Sequence, residues 1–211
     1  MFRTVAYSLA ALGLAASLST ARADTLTYSS YTVLNNQTVT LDDDRLNVHE
    51  KAGSGQITLN NINGFGGSLS AFCIDVPDWL QPSGQFSTGG YLTGTFGNTV
   101  NALLTNVLPT LGNYDASSAL QVAIWTAEYG SELKIGASNS VTKLASQYLS
   151  NVSNNVWIAD PSMQVSVLDG HSTHNQNQAY LARVPEPTTI AVLGVGLLGL
   201  AATIRRRRPL G

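Results

Sequence analysis

Apolar and polar residues change period twice along the middle of the chain. Residues 25–34 and 38–41 are rich in Thr, Tyr and Val, the composition of strands, with Asn35-Asn36 between them as a turn. Asp42-Asp43-Asp44 interrupts the pattern. Leu46-Asn47-Val48 and Gln56-Ile57-Thr58-Leu59 then alternate, which predicts strands with one buried face, separated by Gly53-Ser54-Gly55. After a Gly/Asn loop over 60–67, residues 68–76 are more continuously apolar and predict a more deeply buried strand. The spacing then turns helical. Val100, Leu103, Leu104 and Val107 predict a helix over 98–108. Asp115 as N-cap and Gly130 as terminator bracket a second helix over 116–129. Leu120, Val122, Ala123, Ile124 and Trp125 make that helix apolar nearly all round, so it is expected at the centre. A third helix runs over about 138–152. Strand signals return at 156–158, 163–168 and 179–184. Strands, then helices, then strands predict an α+β fold: one mainly antiparallel β domain with a central block of about three helices, not a parallel doubly wound sheet. No internal repeat is present.

Two further apolar stretches flank this block. Residues 5–18 follow Arg3 and precede Ala21-Arg22-Ala23, giving a positive start, a short apolar region and a small-x-small cleavage site. Residues 1–23 therefore read as a secretory signal peptide, removed by signal peptidase. Near the other end, no charge occurs between Glu186 and Arg205. A helix of those residues spans roughly 27 Å, close to the thickness of a bilayer's hydrocarbon. A transmembrane helix is expected over 188–204, with Arg205, Arg206, Arg207 and Arg208 as a cytoplasmic stop, N-terminus out and C-terminus in. The expected organisation is a signal peptide (1–23), an exported domain (24–183) and a tail (184–211).

This division changes the meaning of the charge. The chain has 11 Lys and Arg against 13 Asp and Glu. The segment 24–183 holds only five of the basic residues and twelve of the acidic ones, a net charge of −7. An acidic domain with so few cations lacks the basic stripe that binds nucleic acid. Charged residues are 11% and hydrophobic ones 44%, which excludes a highly charged disordered chain.

Val184-Pro185-Glu186-Pro187, the apolar span and the Arg cluster, in that order, resemble a PEP-CTERM sorting tail. The resemblance covers about the last 28 residues. It implies recognition of Pro185, Glu186 and Pro187 by an exosortase-type membrane peptidase. It also implies a transient inner-membrane stage and release to the surface or exterior of a Gram-negative bacterium that makes extracellular polysaccharide. It gives an address and says little about the cargo.

Cys73 is the only cysteine. An exported chain with one cysteine has no internal disulfide, so the thiol is either a small buried hydrophobe or a reactive group. Phe72-Cys73-Ile74-Asp75 together with Leu120-Gln121-Val122-Ala123-Ile124-Trp125 resembles thioester domains of surface adhesins, over roughly residues 66–130. The resemblance implies a bond between the Cys73 sulfur and the Gln121 side-chain carbonyl, formed with loss of ammonia. Such an acyl group is activated, because a thiolate leaves more easily than an amine. Asp75, on the Cys73 face of the strand, and Glu128 and Trp125, on the Gln121 face of the helix, are possible supporting residues.

Three functions follow. The first is a surface-exported module that attaches covalently to an amine-bearing partner or the extracellular matrix, in adhesion or a biofilm. It would react once and need no cofactor, so it would not be an enzyme in the turnover sense. The second is a non-covalent structural matrix protein, associated with extracellular polysaccharide, with an inert thiol. The third is a cysteine hydrolase, for which no His stands in a recognisable motif. His171 and His174 lie in a polar loop, and Asp42 to Asp44 lack the alternation and Gly of a calcium loop, so no metal is expected.

Overall fold

The computed structural model describes residues 24–64 and 66–184. Two long strands, β2 (Ser30–Asp43) and β3 (Val48–Ile62), form a hairpin that dominates one half of the sheet. The remaining strands are β1 (Thr25–Tyr28), β4 (Gly67–Cys73), β5 (Gly84–Tyr91), β6 (Lys134–Gly136), β7 (Met163–Asp169) and β8 (Gln178–Arg183). Every pairing is antiparallel, in the order β1-β5-β7-β8-β4-β3-β2-β6. The sheet curls, because Asn63 N donates to Thr27 O and Ser29 N to Asn60 O, which brings the β1 end back to β3. Three helices, α1 (Gly94–Val107), α2 (Tyr114–Tyr129) and α3 (Asn139–Ser153), fall in the middle of the sequence. A single mainly antiparallel domain with three helices is what the periodicity predicted.

α2 is central. All ten residues from Ala116 to Trp125 are buried, so its lack of a polar face matches a helix covered by β2, β3 and β4 on one side and by α1 and α3 on others. Its N-cap is Asn113, whose Oδ1 accepts from Ala116 N at 2.8 Å; Asp115 sits inside the first turn and hydrogen-bonds Gln37.

Two expected breaks are wrong for one physical reason: a tertiary partner takes the hydrogen bonds that local sequence left open. Asn35-Asn36 is not a turn. β2 runs through it with a bulge between Leu34 and Gln37. Gln37 N, displaced from the ladder, donates to Ser118 Oγ of α2 at 2.9 Å. Gly53-Ser54-Gly55 is likewise mid-strand. Ser118 Oγ donates to Ser54 O at 2.7 Å, and Gln56 N donates to Ser117 Oγ at 2.8 Å. A Cβ on Gly53 would meet Asn36 Nδ2 of the neighbouring strand at 3.1 Å, so a small residue is favoured there. Residues 156–158 form no strand, because Val156 N and Trp157 N both donate to Asn151 O, folding the segment against the end of α3. β5, rich in Gly, Ser and Thr, and the short edge strand β6 had no periodic signal.

Among the described residues no helix is long and apolar enough to cross a membrane. The expected signal peptide (1–23), the transmembrane helix (188–204), Pro185, Glu186 and Pro187, and Arg205 to Arg208 lie outside the described residues.

Candidate functional site

Cys73 ends β4 at a place where the sheet changes partners. β4 pairs with β3 as far as Ala71, and with β8 at Phe72 and Cys73. Ile74 N continues toward β8 by donating to Asn177 O. Successive residues of a strand present their backbone groups to opposite edges, so the N–H and C=O of Cys73 point to the edge that β3 has left. Gln121 of α2 takes both. Its Oε1 accepts from Cys73 N at 3.0 Å and its Nε2 donates to Cys73 O at 2.7 Å, with Gln121 fully buried. The side-chain amide stands in for a missing strand.

Cys73 and Gln121 are thus brought together, but through the Cys73 backbone. The thiol faces two other glutamines. Gln176 Oε1 accepts from the thiol at 2.8 Å, while Gln176 Nε2 donates to Asp75 O at 2.8 Å. Gln178 lies directly across the ladder from Cys73, which puts both side chains on one face. Its Nε2 is 3.5 Å from the sulfur and donates to Gln176 O at 3.1 Å. Gln178 is fully buried and its Oε1 has no hydrogen-bond partner. An orphaned buried acceptor costs about 1–3 kcal/mol, so such a group calls for an explanation. Sequence reasoning missed Gln176 and Gln178. The only local signal was a pair of glutamines two apart where a polar loop enters an apolar strand; the cross-strand register with Cys73 is not legible in the chain.

Burial dominates the electrostatics. It pushes the Cys73 thiol up to about 12, against the Gln178 hydrogen bond and with a smaller push from Asp75. The resting thiol is therefore protonated and a weak nucleophile. Asp75 is also raised, to about 7, by burial first, with Asn177 N–H pulling down, Asp78 adding and His171 opposing. Its two carboxylate oxygens each lie 3.1 Å from Asn177 N, which donates to them. Asp75 is an acid–base group poised near neutrality in the field of the thiol.

A cavity of about 100 Å³ reaches Cys73 and Gln176, walled by Trp125, Tyr31 and Trp79. Trp79 is half-exposed, so this wall belongs to the surface. Trp125 is buried and its Nε1 has no partner, leaving a donor free on a residue that lines the space. Glu128, a turn further along α2, is exposed, and its carboxyl is raised by partial burial. It makes no hydrogen bond to Cys73, Gln176 or Gln178 among the described residues.

The other candidates make no hydrogen bond to the thiol, although His171 is near enough to lower the Asp75 carboxyl. His171 N donates to Asp169 Oδ1 at 2.9 Å, and neither His171 nor His174 hydrogen-bonds Cys73. At the β2–β3 turn, His49 is bracketed by Asp42 at 2.6 Å and Asp44 at 3.6 Å, all three exposed, as in a solvated ion cluster.

Comparison with known proteins bears on the tail. The PEP-CTERM protein-sorting motif matches residues 183–208, which takes in Pro185, Glu186, Pro187 and Arg205 to Arg208. The motif is that of an exported protein processed at the membrane by an exosortase. No curated protein and no solved structure matches the chain.

Proposed function

We propose that the exported domain attaches covalently, once, to an amine of a surface or matrix partner through an internal thioester between Cys73 and Gln178. The observation that carries this reading is the buried Gln178 amide directly across the strand pair from Cys73, with its nitrogen 3.5 Å from the sulfur and its oxygen unpartnered. In the forming step the sulfur adds to the Gln178 amide carbon, the carbon–nitrogen bond breaks, and ammonia leaves with the thiol proton. Enforced proximity supplies the barrier reduction that free amides and thiols lack. Asp75, with its carboxyl near neutrality, is suited to accept the thiol proton and return it to the departing nitrogen. In this reading Gln121 positions the Cys73 backbone, through its hydrogen bonds to Cys73 N and O. In the attaching step a partner amine entering by the Trp79 cavity adds to the same carbonyl, the carbon–sulfur bond breaks, and Cys73 regains its proton. The thioester carbonyl is a weaker acceptor than an amide carbonyl, so the unpartnered oxygen becomes less costly once the bond forms.

Intact mass of the secreted, non-reduced protein tests this. A mass lighter by one ammonia is expected, lost in Gln178→Ala. Methylamine should add to Gln178 and expose Cys73 to a thiol reagent. A full mass with no amine uptake would sink the thioester. That outcome would favour the second reading, a non-covalent matrix protein with an inert thiol, to which the 5% exposure of Cys73 and its raised pKa already give weight.

A further inference from the structure

Strand β8 ends beside an apolar, uncharged surface. Val184, the residue after β8, donates from its N to Ser162 O at 2.9 Å, so the end of β8 lies against the segment 154–162. That segment carries Val156 and Ile158, each 68% exposed, the most exposed large hydrophobic residues described. Trp157 lies between them, half-buried and packed on Tyr148 with ring centroids 5.3 Å apart. The adjoining groove is lined by Thr95, Asn98 and Thr99 of α1 and by Val152 and Asn155 at the end of α3, all uncharged. In a domain of net charge −7 this neutral face stands out. The nearest acid, Asp160, is occupied by Ser162 N and Oγ at 2.8 and 2.7 Å. Arg183 and Val184 are exposed at the same end of β8.

The loop is also held rigidly. Buried Asn101 of α1 donates to Asp160 O and Met163 O at 3.2 and 2.8 Å, and accepts from Asp160 N at 3.0 Å. Val156 N and Trp157 N are fixed to Asn151 O. The two aliphatic side chains are therefore presented to solvent by a pinned backbone.

We propose that this face rests on the lipid bilayer while the protein is membrane-anchored, with Val156 and Ile158 in the headgroup layer and Arg183 toward lipid phosphate. The inference rests on the reading of residues 188–204 as a membrane helix, and the tether length supports it. Only Pro185, Glu186 and Pro187 separate Val184 from that segment. The four Cα–Cα steps from Val184 to residue 188 reach at most about 14 Å in any conformation, and the headgroup layer on each side is itself roughly 5–8 Å thick. The end of β8 is thus tethered within roughly 10 Å of the headgroups, and the surface beside it is the neutral, apolar one. Trp and Arg beside aliphatic side chains suit the membrane interface. Seating the domain this way would hold the Pro-Glu-Pro segment at a constant height for the membrane peptidase.

The test uses the full chain with Cys73→Ala, reconstituted in vesicles of phosphatidylethanolamine and phosphatidylglycerol that carry headgroup-depth nitroxide lipid. Single cysteines are introduced by Ile158→Cys, by Lys51→Cys on exposed β3, and by Val195→Cys in the tail, each labelled with an environment-sensitive fluorophore. The label at position 158 should be blue-shifted and quenched several-fold more than the label at 51. If position 195 is buried in lipid while 158 is as wet and unquenched as 51, the docking face is wrong and the anchoring reading stands. If 158 is dry but unquenched by lipid, a protein surface covers it, and the lipid proposal is overturned. If 195 itself lies in water, both readings fall.

Discussion

Gln121→Ala separates a structural clamp from a reacting group. The substitution removes an amide that pairs both backbone groups of Cys73, at 3.0 and 2.7 Å, in a setting with no exposure. Each buried backbone group left unpaired costs about 1–3 kcal/mol, so the pair costs about 2–6 kcal/mol before any packing loss. Against a typical domain stability of about 5–15 kcal/mol this is a large fraction. Gln178→Ala leaves one backbone acceptor, Gln176 O, unpaired, at about 1–3 kcal/mol, and removes an oxygen that had no partner. The comparison belongs in a Cys73→Ala background, where no cross-link can form and the backbone clamp is intact. Denaturant midpoints should then fall about twice as far for Gln121→Ala as for Gln178→Ala. Gln121→Glu supplies an internal check. Protonated, it restores both bonds; ionised, it sets a negative oxygen against the Cys73 carbonyl. Its folded-state pKa is therefore raised, and the stability it contributes is present at low pH and lost as pH rises through that value. Equal midpoints for the two alanine variants, or a Gln121→Glu stability flat between about pH 4 and pH 8, would refute the clamp.

Other outcomes follow from the same geometry. If the thioester forms, Cys73 and Gln178 close a loop of about a hundred residues, and a cross-link of that span is worth about 4–5 kcal/mol; methylamine should lower the unfolding midpoint, and an unchanged midpoint would mean no bond was present. Asp75 holds its proton up to about 7 in the fold against 3.8 unfolded, so its contribution is full below pH 3.8 and is lost as pH rises through about 7; Asp75→Asn should flatten that decline in a series of melts, and an unaltered profile would show that another group causes it. Asn101→Ala removes the hydrogen bonds to Asp160 N and Met163 O and one of the two to Asp160 O, which keeps Met163 N at 3.1 Å; it should destabilise the domain and speed amide exchange across 156–163. Deleting residues 185–211 should retain the protein inside the outer membrane; equal release of the truncated chain would remove the sorting role.

The clearest parts of the sequence were those whose physics is local. The order Pro185-Glu186-Pro187, uncharged span and Arg205 to Arg208 is a linear message, and the match over 183–208 reads the same residues. Helix periodicity placed α1, α2 and α3 to within a few residues, because a 3.6-residue repeat needs no distant partner to be visible. The apolar circumference of α2 likewise announced a central helix. Three other features were settled only by the fold. Asn35-Asn36 and Gly53-Ser54-Gly55 read as breaks because their local preferences are for turns, yet Ser117 and Ser118 of α2 satisfy the freed backbone groups and carry the strands through. Lone Cys73 and the helical Gln121 were legible as residues that belong together, but not which atoms meet. That choice depends on β3 leaving the Cys73 edge at Ala71, which hands the backbone to Gln121, and on β8 arriving opposite, which hands the thiol to Gln176 and Gln178. Strand register across a hundred residues is a property of the whole sheet, since a shift of one residue would turn Gln178 to the other face. The sequence by itself therefore determined the address and the helices; tertiary structure alone decided which glutamine faces the sulfur.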